Sequence, residues 1–284
     1  MLRLYPRDKL VQLEQLDPLT RGSIFHEIQF RLFGALREAA LLPVTSARLE
    51  DAFGVLDVVL KRAERDYRDR LAPPIKRVWQ AEFEGLRADL RGWLRHVADE
   101  PGGWIPIHAE LGFGLARSGE RDPQSVREAA PVLSVASLRG SIDLVEADAA
   151  GRLRVTDHKT GVARHAGSSL VIGGGKVLQP VLYSLAAEAV LGRDVVSGRL
   201  FYCTQRGGYS DVSVPLDERS RGAARRMLAT VDRALEEGFL PAAPAKDECR
   251  YCDYRSICGP YEELRAARKK RRRLGALNDL RLER

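Results

Sequence analysis

The stretch that decides the fold is GSIDLVEADAAGRLRVTDHKTG, residues 140–161. Two runs rich in Val, Ile and Leu flank the turn-like residues 148–151, which predicts a β-hairpin. In a hairpin with this turn, the residue numbers of two opposed positions sum to about 299. Asp143 and Asp157 are therefore expected nearly opposite each other. Lys159 lies two residues beyond Asp157 and therefore on the same strand face. The hairpin is thus expected to bring two carboxylates and an ammonium group together.

Such a pair of carboxylates has a specific chemical use. Like charges that face each other are destabilising unless something compensates them. A divalent cation such as Mg²⁺ or Mn²⁺, which prefers oxygen ligands, would do so. The lysine could then stabilise charge on a phosphorane or orient an attacking water. The pattern favours metal-assisted phosphodiester hydrolysis, and the alternative is a surface hairpin that carries an ordinary Asp–Lys pair.

Outward from the hairpin, the chain divides into a helical first part and a mixed second part. Helical spacing of apolar residues dominates residues 1–100, interrupted at Pro73–Pro74. The later elements are predicted as strands over 105–115 and 197–204, and as helices over 176–191 and 218–237. We therefore expect an α/β fold. The Gly173–Gly175 run lacks the Lys-Ser/Thr of a phosphate-binding P-loop.

Further polar residues could join the hairpin site. Glu110, in the strand-like HAELGFGL, could add a third carboxylate. Gln179 and Tyr183 are spaced i, i+4, so they share one face of the next helix. His26, in RGSIFHEI, could supply a neutral imidazole to a metal. Taken alone, each of these residues also has an ordinary structural role.

Composition and charge limit the function classes. The 284 residues are 44% hydrophobic and 30% charged, which is globular composition. The sequence contains neither an uncharged apolar run of membrane-spanning length nor a secretory h-region, so we expect a cytoplasmic protein. Residues 265–284 hold nine basic and two acidic residues and so carry the whole net charge of +7. This tail fits either a polyanion partner or a solvated helix end. The basic residues that would contact such a polyanion, nucleic acid included, are Arg268, Lys269, Lys270, Arg271, Arg272 and Arg273.

Three of the four cysteines, Cys249, Cys252 and Cys258, fall within ten residues. In a reducing compartment such spacing favours a metal or iron–sulfur site over disulfides. Cys203 lies in an apolar strand, RLFYC, and is interpreted as a buried structural residue.

Taken in order, RGSIFHEI, HAELGF, GSIDLVE, TDHKTG and LQPVLY resemble the motifs of the PD-(D/E)xK nuclease superfamily, in its RecB/AddB/Cas4-like branch. The resemblance runs from about residue 20 to 259. It implies a restriction-endonuclease-like core, with a mixed β-sheet flanked by helices and a helical N-terminal part. The nuclease domain would span 1–264, with a helical insert at about 40–100, a Cys-rich segment at 249–258, and the basic tail at 265–284.

The resemblance also implies residue roles. Metal ligands would be His26, Asp143, Asp157, the backbone carbonyl of His158 and Glu110, with Mg²⁺ or Mn²⁺ as the ion. Catalytic residues would be Asp143, Asp157, Lys159, Gln179 and Tyr183. The cysteine triplet would bind a [4Fe–4S] cluster, whose fourth cysteine is not evident, or zinc with another ligand.

The expected function is therefore a metal-dependent DNA nuclease, with exonuclease action, in repair or recombination. We expect DNA as the substrate, and a helicase subunit or a missing N-terminal part of a longer chain as partner. Two alternatives stay open. The first is a catalytically silent DNA-binding module of a helicase–nuclease complex, and the second is a CRISPR adaptation nuclease.

Overall fold

A computed structural model describes residues 15–115, 122–163, 170–245, 248–258, 261–269 and 274–283. The helices are α1 (Pro18–Glu38), α2 (Leu49–Leu71), α3 (Lys76–Asp99), α4 (Gln179–Leu191), α5 (Glu218–Glu236), α6 (Arg255–Cys258), α7 (Glu262–Ala267) and α8 (Gly275–Leu282). The strands are β1 (Ile105–Phe113), β2 (Ala130–Val132), β3 (Ala136–Leu138), β4 (Gly140–Ala147), β5 (Leu153–Lys159), β6 (Val195–Tyr202) and β7 (Asp211–Pro215). Within the described residues, none of these helices is long and apolar enough to span a membrane.

Local sequence explains where the first helices begin and end. Asp17 caps α1 by accepting hydrogen bonds from the amides of Leu19 and Thr20, and Pro18 occupies the first helical turn. At the end of α2, Ala72 adopts a left-handed conformation, and Pro73 then prevents the helix from continuing. The break at Pro73–Pro74 is thus confirmed.

The central sheet has five strands in the order β1-β4-β5-β6-β7. Strands β1, β4 and β5 are antiparallel neighbours, β5 and β6 run parallel, and β7 returns antiparallel to β6. Parallel strands need a crossover, and α4 provides it between β5 and β6. The predicted mixed sheet flanked by helices is confirmed, and β2 and β3 form a separate small ribbon.

Two hydrophobic cores lie on opposite faces of this sheet. Helices α1, α2 and α3 pack together over Leu144, Phe201 and Cys203. On the other face, α4 and α5 pack over Val145 and Val155. The segment at about 40–100 therefore contributes α2 and α3 to the same core as α1.

Several boundaries differ from the expectations. The helix predicted over 176–191 begins at Gln179, because the Gly173–Gly175 turn, with positive φ at all three residues, extends the loop. Strands β2 and β7 were not predicted. Both are short, and β7 exists through its pairing with β6, which a local pattern does not reveal.

Candidate active site

Three carboxylates lie in one row across neighbouring strands. The β4–β5 register pairs Leu144 with Thr156, which places Asp143 and Asp157 at the next opposed position. The β1–β4 register pairs Ala109 with Leu144 and Leu111 with Ile142, so Glu110 lies opposite Asp143. Adjacent strands are about 4.8 Å apart, so the three acids are close neighbours. The predicted convergence of Asp143 and Asp157 on the hairpin is confirmed.

Glu110 lies at a backbone irregularity in β1. Its φ of +52° is in the left-handed region, which non-glycine residues seldom adopt. The buried carboxylate of Asp122 supports this conformation by accepting the Ala109 amide at 3.2 Å, while the Asp122 amide donates to the Glu110 carbonyl at 3.4 Å. Ser141 donates its hydroxyl to Glu110 Oε2 at 2.9 Å. Sequence reasoning missed both supporting residues, because no local pattern links either to Glu110.

His26, Glu110 and Asp143 form the candidate metal centre. One ligand atom from each lies within 4.8 Å of the others, a group that no other His, Cys, Asp or Glu side chains form in the described part of the chain. His26 Nδ1 is 3.5 Å from Asp143 Oδ2. Burial, helped by the Lys159 charge, lowers the pKa of His26 to about 4, so the imidazole is neutral at pH 7. A neutral imidazole and two carboxylates are a suitable donor set for Mg²⁺ or Mn²⁺.

The environment of Asp143 favours a bound cation. Burial raises the pKa of Asp143 well above its usual range, and the charges of Asp157 and Glu110 raise it further. One oxygen, Oδ2, accepts the His158 amide at 2.7 Å, which fixes the orientation of the carboxylate. A divalent cation would offset the repulsion and keep the carboxylate ionised.

Asp157 is paired differently from Asp143. Its Oδ2 lies 2.6 Å from Lys159 Nζ, and Asp157 does not belong to the group of three. Burial raises its pKa, although the lysine charge acts in the opposite direction. The Lys159 side chain is about one-third exposed, so the ammonium reaches solvent beside the acids. A metal-ligand role for Asp157 stays a prediction.

The side chain of His158 turns away from the carboxylates. Its ring packs against Trp93 at a centroid distance of 5.6 Å, on the face covered by α1–α3. Burial lowers the pKa of His158 well below its usual range, so the ring is neutral. A ligand role for its backbone carbonyl stays a prediction.

Helix α4 presents Tyr183 to the acids. Burial, followed by the charges of Asp157, Asp143 and Glu110, raises the pKa of the phenol. The hydroxyl therefore stays protonated and can donate a hydrogen bond. Gln179, one turn earlier, is half-buried at the start of the helix, and its role stays a prediction.

The three cysteines of the Cys-rich segment differ in their exposure. Cys249 is buried, Cys252 is exposed and Cys258 is intermediate, and among the described residues their sulfurs do not form a group within 4.8 Å. The iron–sulfur or zinc role of these three cysteines stays a prediction. Cys203 lies in the core, where its thiol donates to the Lys159 carbonyl at 3.4 Å, as expected for a structural cysteine.

The basic tail is described in part. Arg268 is exposed, and Lys269 Nζ donates to the carbonyl of Ala242 at 2.5 Å. Lys270, Arg271, Arg272 and Arg273 lie outside the described residues. Their role in DNA binding stays a prediction.

Comparison with known proteins agrees with this site. None of the curated proteins compared with the chain matches it. The profile of the PD-(D/E)XK nuclease superfamily matches residues 2–259, which include every residue of the carboxylate row, His26 and Lys159. Nucleases of this superfamily use divalent metals to hydrolyse phosphodiester bonds, which is the chemistry that the donor set favours. Because the match covers most of its length, the chain belongs to the PD-(D/E)XK nuclease superfamily.

Proposed function

We propose that the chain is a metal-dependent deoxyribonuclease that hydrolyses phosphodiester bonds from DNA ends during repair or recombination. The observation that carries the proposal is the convergence of His26, Glu110 and Asp143 beside the Lys159–Asp157 pair. This arrangement combines a cation site with a partly exposed ammonium group, and the superfamily match supports the reaction class.

The side chains divide the work of hydrolysis. A divalent cation held by the group of three would lower the pKa of water and neutralise phosphate charge. Lys159 presents its ammonium, oriented by Asp157, where negative charge develops as water attacks phosphorus. The protonated hydroxyl of Tyr183 offers a hydrogen bond to a phosphate oxygen. The phosphorus–oxygen bond then breaks, and the departing oxygen takes up a proton.

The setting is also part of the proposal. We expect a helicase subunit, or a further part of a longer chain, to feed DNA to the site. A RecB/AddB-like relationship and a cytoplasmic location fit this role. An iron–sulfur or zinc site at Cys249, Cys252 and Cys258 also belongs to the proposal.

The test is cleavage of end-labelled linear single- and double-stranded DNA, with a circular substrate beside them. Parent protein, Lys159→Ala and the control Lys61→Ala, an exposed lysine of α2, are each assayed with Mg²⁺, Mn²⁺ and EDTA. We expect metal-dependent cleavage that Lys159→Ala lowers by about 10²-fold or more and Lys61→Ala leaves intact.

The substrates separate the competing functions. Resistance of circular DNA supports exonuclease action, whereas its cleavage shows an endonuclease. Full activity in Lys159→Ala would show that the assigned site is wrong. DNA binding without cleavage under all metal conditions would instead favour a catalytically silent module.

A further inference from the structure

A groove lies between α1, α2 and β1, next to the candidate metal centre. Its volume is about 540 Å³, and its lining includes Phe30, Gly34, Arg37, Arg62 and Ala109. This volume is in the range of sites that hold small molecules or single building blocks of a polymer. A duplex is too large for it.

Two elements connect the groove with the metal centre. On α1, Phe30 lies one turn after His26, and Arg37 lies two further turns along the same face. On β1, Ala109 directly precedes Glu110. Asp122, which supports the Glu110 backbone, also lines the groove. A polymer with one bond at the metal centre would therefore pass directly into this space.

The chemistry of the lining favours a nucleotide. Phe30 is half-buried, so its ring is held in place yet accessible for stacking. Arg37 and Arg62 are exposed, and no described carboxylate forms an ion pair with either. Arg37 donates one hydrogen bond, to the Ile107 carbonyl at 2.9 Å. Aromatic rings that stack bases and arginines that follow the backbone are the usual means of binding single strands.

The acids of the groove do not cancel these arginines. Asp66 is paired with Arg31 at 2.8 Å. Asp122 is buried, lies 3.1 Å from the His108 ring nitrogen and accepts backbone amides. Glu38 is exposed at the end of α1. The exposed, unpaired charges of the lining are therefore those of Arg37 and Arg62, against one carboxylate at the margin.

We propose that this groove binds a single-stranded segment of the nucleic-acid substrate next to the bond that is cleaved, with a base against Phe30 and phosphates on Arg37 and Arg62. The inference rests on the proposed function. It adds that the substrate is single-stranded where it lies on the α1–β1 side of the site. Duplex DNA would then need to be separated before its strand enters.

Gly34 allows a test that leaves the fold intact. It is exposed on α1, and a Cβ at this position would meet nothing within 4 Å. Gly34→Trp should fill the groove without disturbing the core. The matched control is Gly54→Trp on α2, an exposed glycine with the same open space that does not line the groove.

Binding is measured by fluorescence anisotropy with a labelled single-stranded oligonucleotide in EDTA, so that cleavage plays no part. We expect Gly34→Trp to raise Kd at least tenfold and Gly54→Trp to leave it unchanged. The double variant Arg37→Ala/Arg62→Ala should weaken binding and reduce the slope of log Kd against log salt by about 1.4. The control variant Arg65→Ala/Arg68→Ala changes exposed positions of α2 outside the lining, and it should leave both Kd and the salt slope unchanged.

The outcomes separate the groove from the catalytic proposal. Cleavage by the parent with unchanged binding in Gly34→Trp overturns the groove and leaves the nuclease standing. Binding by the parent without cleavage, lost in Gly34→Trp, supports the groove and overturns the nuclease. A parent that binds duplexes but no single strand overturns the groove outright. Circular dichroism and Tm confirm that each variant is folded.

Discussion

At the residue scale, Asp143 holds a charge that the metal-free fold disfavours. Its folded-state pKa is raised above its usual range by burial and by the charges of Asp157 and Glu110. A carboxyl group whose pKa is raised in the folded state stabilises the protein fully below the pKa of the unfolded state, about 3.9. This stabilisation is lost as the pH rises through the pKa of the folded state. Ionised Asp143 should therefore lower the stability of the metal-free protein at pH 8.

Asp143→Asn should raise Tm at pH 8 in EDTA, because the asparagine is neutral and keeps an oxygen for the His158 amide. The gain should shrink toward zero near pH 4, where the carboxyl of the parent is protonated. Mg²⁺ should raise the Tm of the parent more than that of the variant, because the ion binds the folded carboxylate site. Thermal melts over pH 4–8, with and without Mg²⁺, check all three expectations.

Asp122→Asn provides a control of opposite sign. Burial raises the pKa of Asp122, but hydrogen bonds from His108 and the amides of Gln124 and Ala109 outweigh it, and the net shift is downward. Loss of this carboxylate should lower Tm at pH 8, with a smaller effect in acid. A lower Tm for Asp143→Asn at pH 8 in EDTA would contradict the proposed electrostatics.

The residues also show what a sequence can reveal about a site. Alternation along β5 and the hairpin register were enough to place Asp157 and Lys159 together and Asp143 opposite them. The position of Glu110 depends on a left-handed backbone in β1. Glutamate does not favour that conformation, and the support comes from Asp122 across a loop, so no local pattern predicts it.

At the element scale, the approach of α4 to the sheet positions Tyr183 against the acids. Gly198 of β6 makes this approach possible, because a Cβ there would lie 1.9 Å from the carbonyl oxygen of Pro180 in the first turn of α4. Any side chain at residue 198 would push the start of the helix outward.

Gly198→Ala should therefore lower stability by about 1–3 kcal/mol through overpacking, and lower cleavage further by displacing Tyr183. Gly54→Ala is the control, since its Cβ meets nothing within 4 Å and alanine favours a helix. Denaturant unfolding measures the first effect, and cleavage rates well below the midpoint measure the second. Equal stability of the two variants would show that α4 does not approach β6 this closely.

Long elements were predictable because each has a repeated pattern. Amphipathic spacing over many turns indicated α1 to α3, and runs of Val, Ile and Leu indicated β4 and β5. Strand β7 has five residues and an edge position, and its partner β6 supplies the constraint that defines it. The exact start of α4 depends on three glycines with positive φ, which a composition pattern shows only as a loop.

At the scale of the whole molecule, the end of the basic tail is attached to the domain. The Gly174 amide donates to the Glu283 carbonyl at 2.6 Å, and Arg226 pairs with the Glu283 carboxylate at 2.5 Å. Residue 174 must be glycine for this contact, since a Cβ would lie 2.7 Å from the Arg281 carbonyl oxygen. Helix α8 is therefore held against the domain at its C-terminal end.

This attachment decides how the tail should be tested for DNA binding. Deletion of 265–284 would remove both the charge and the contacts of α8, whereas Arg271→Gln/Arg272→Gln/Arg273→Gln removes charge and keeps α8 in the chain. If these residues contact phosphates, the triple variant should weaken single-strand binding and reduce the slope of log Kd against log salt by about 2. The control Lys61→Gln/Arg65→Gln/Arg68→Gln changes the net charge equally on the exposed side of α2. Only specific phosphate contacts release counterions in proportion to their number. Equal slopes of log Kd against log salt in the two variants would therefore show that the tail is a solvated extension that acts only through net charge.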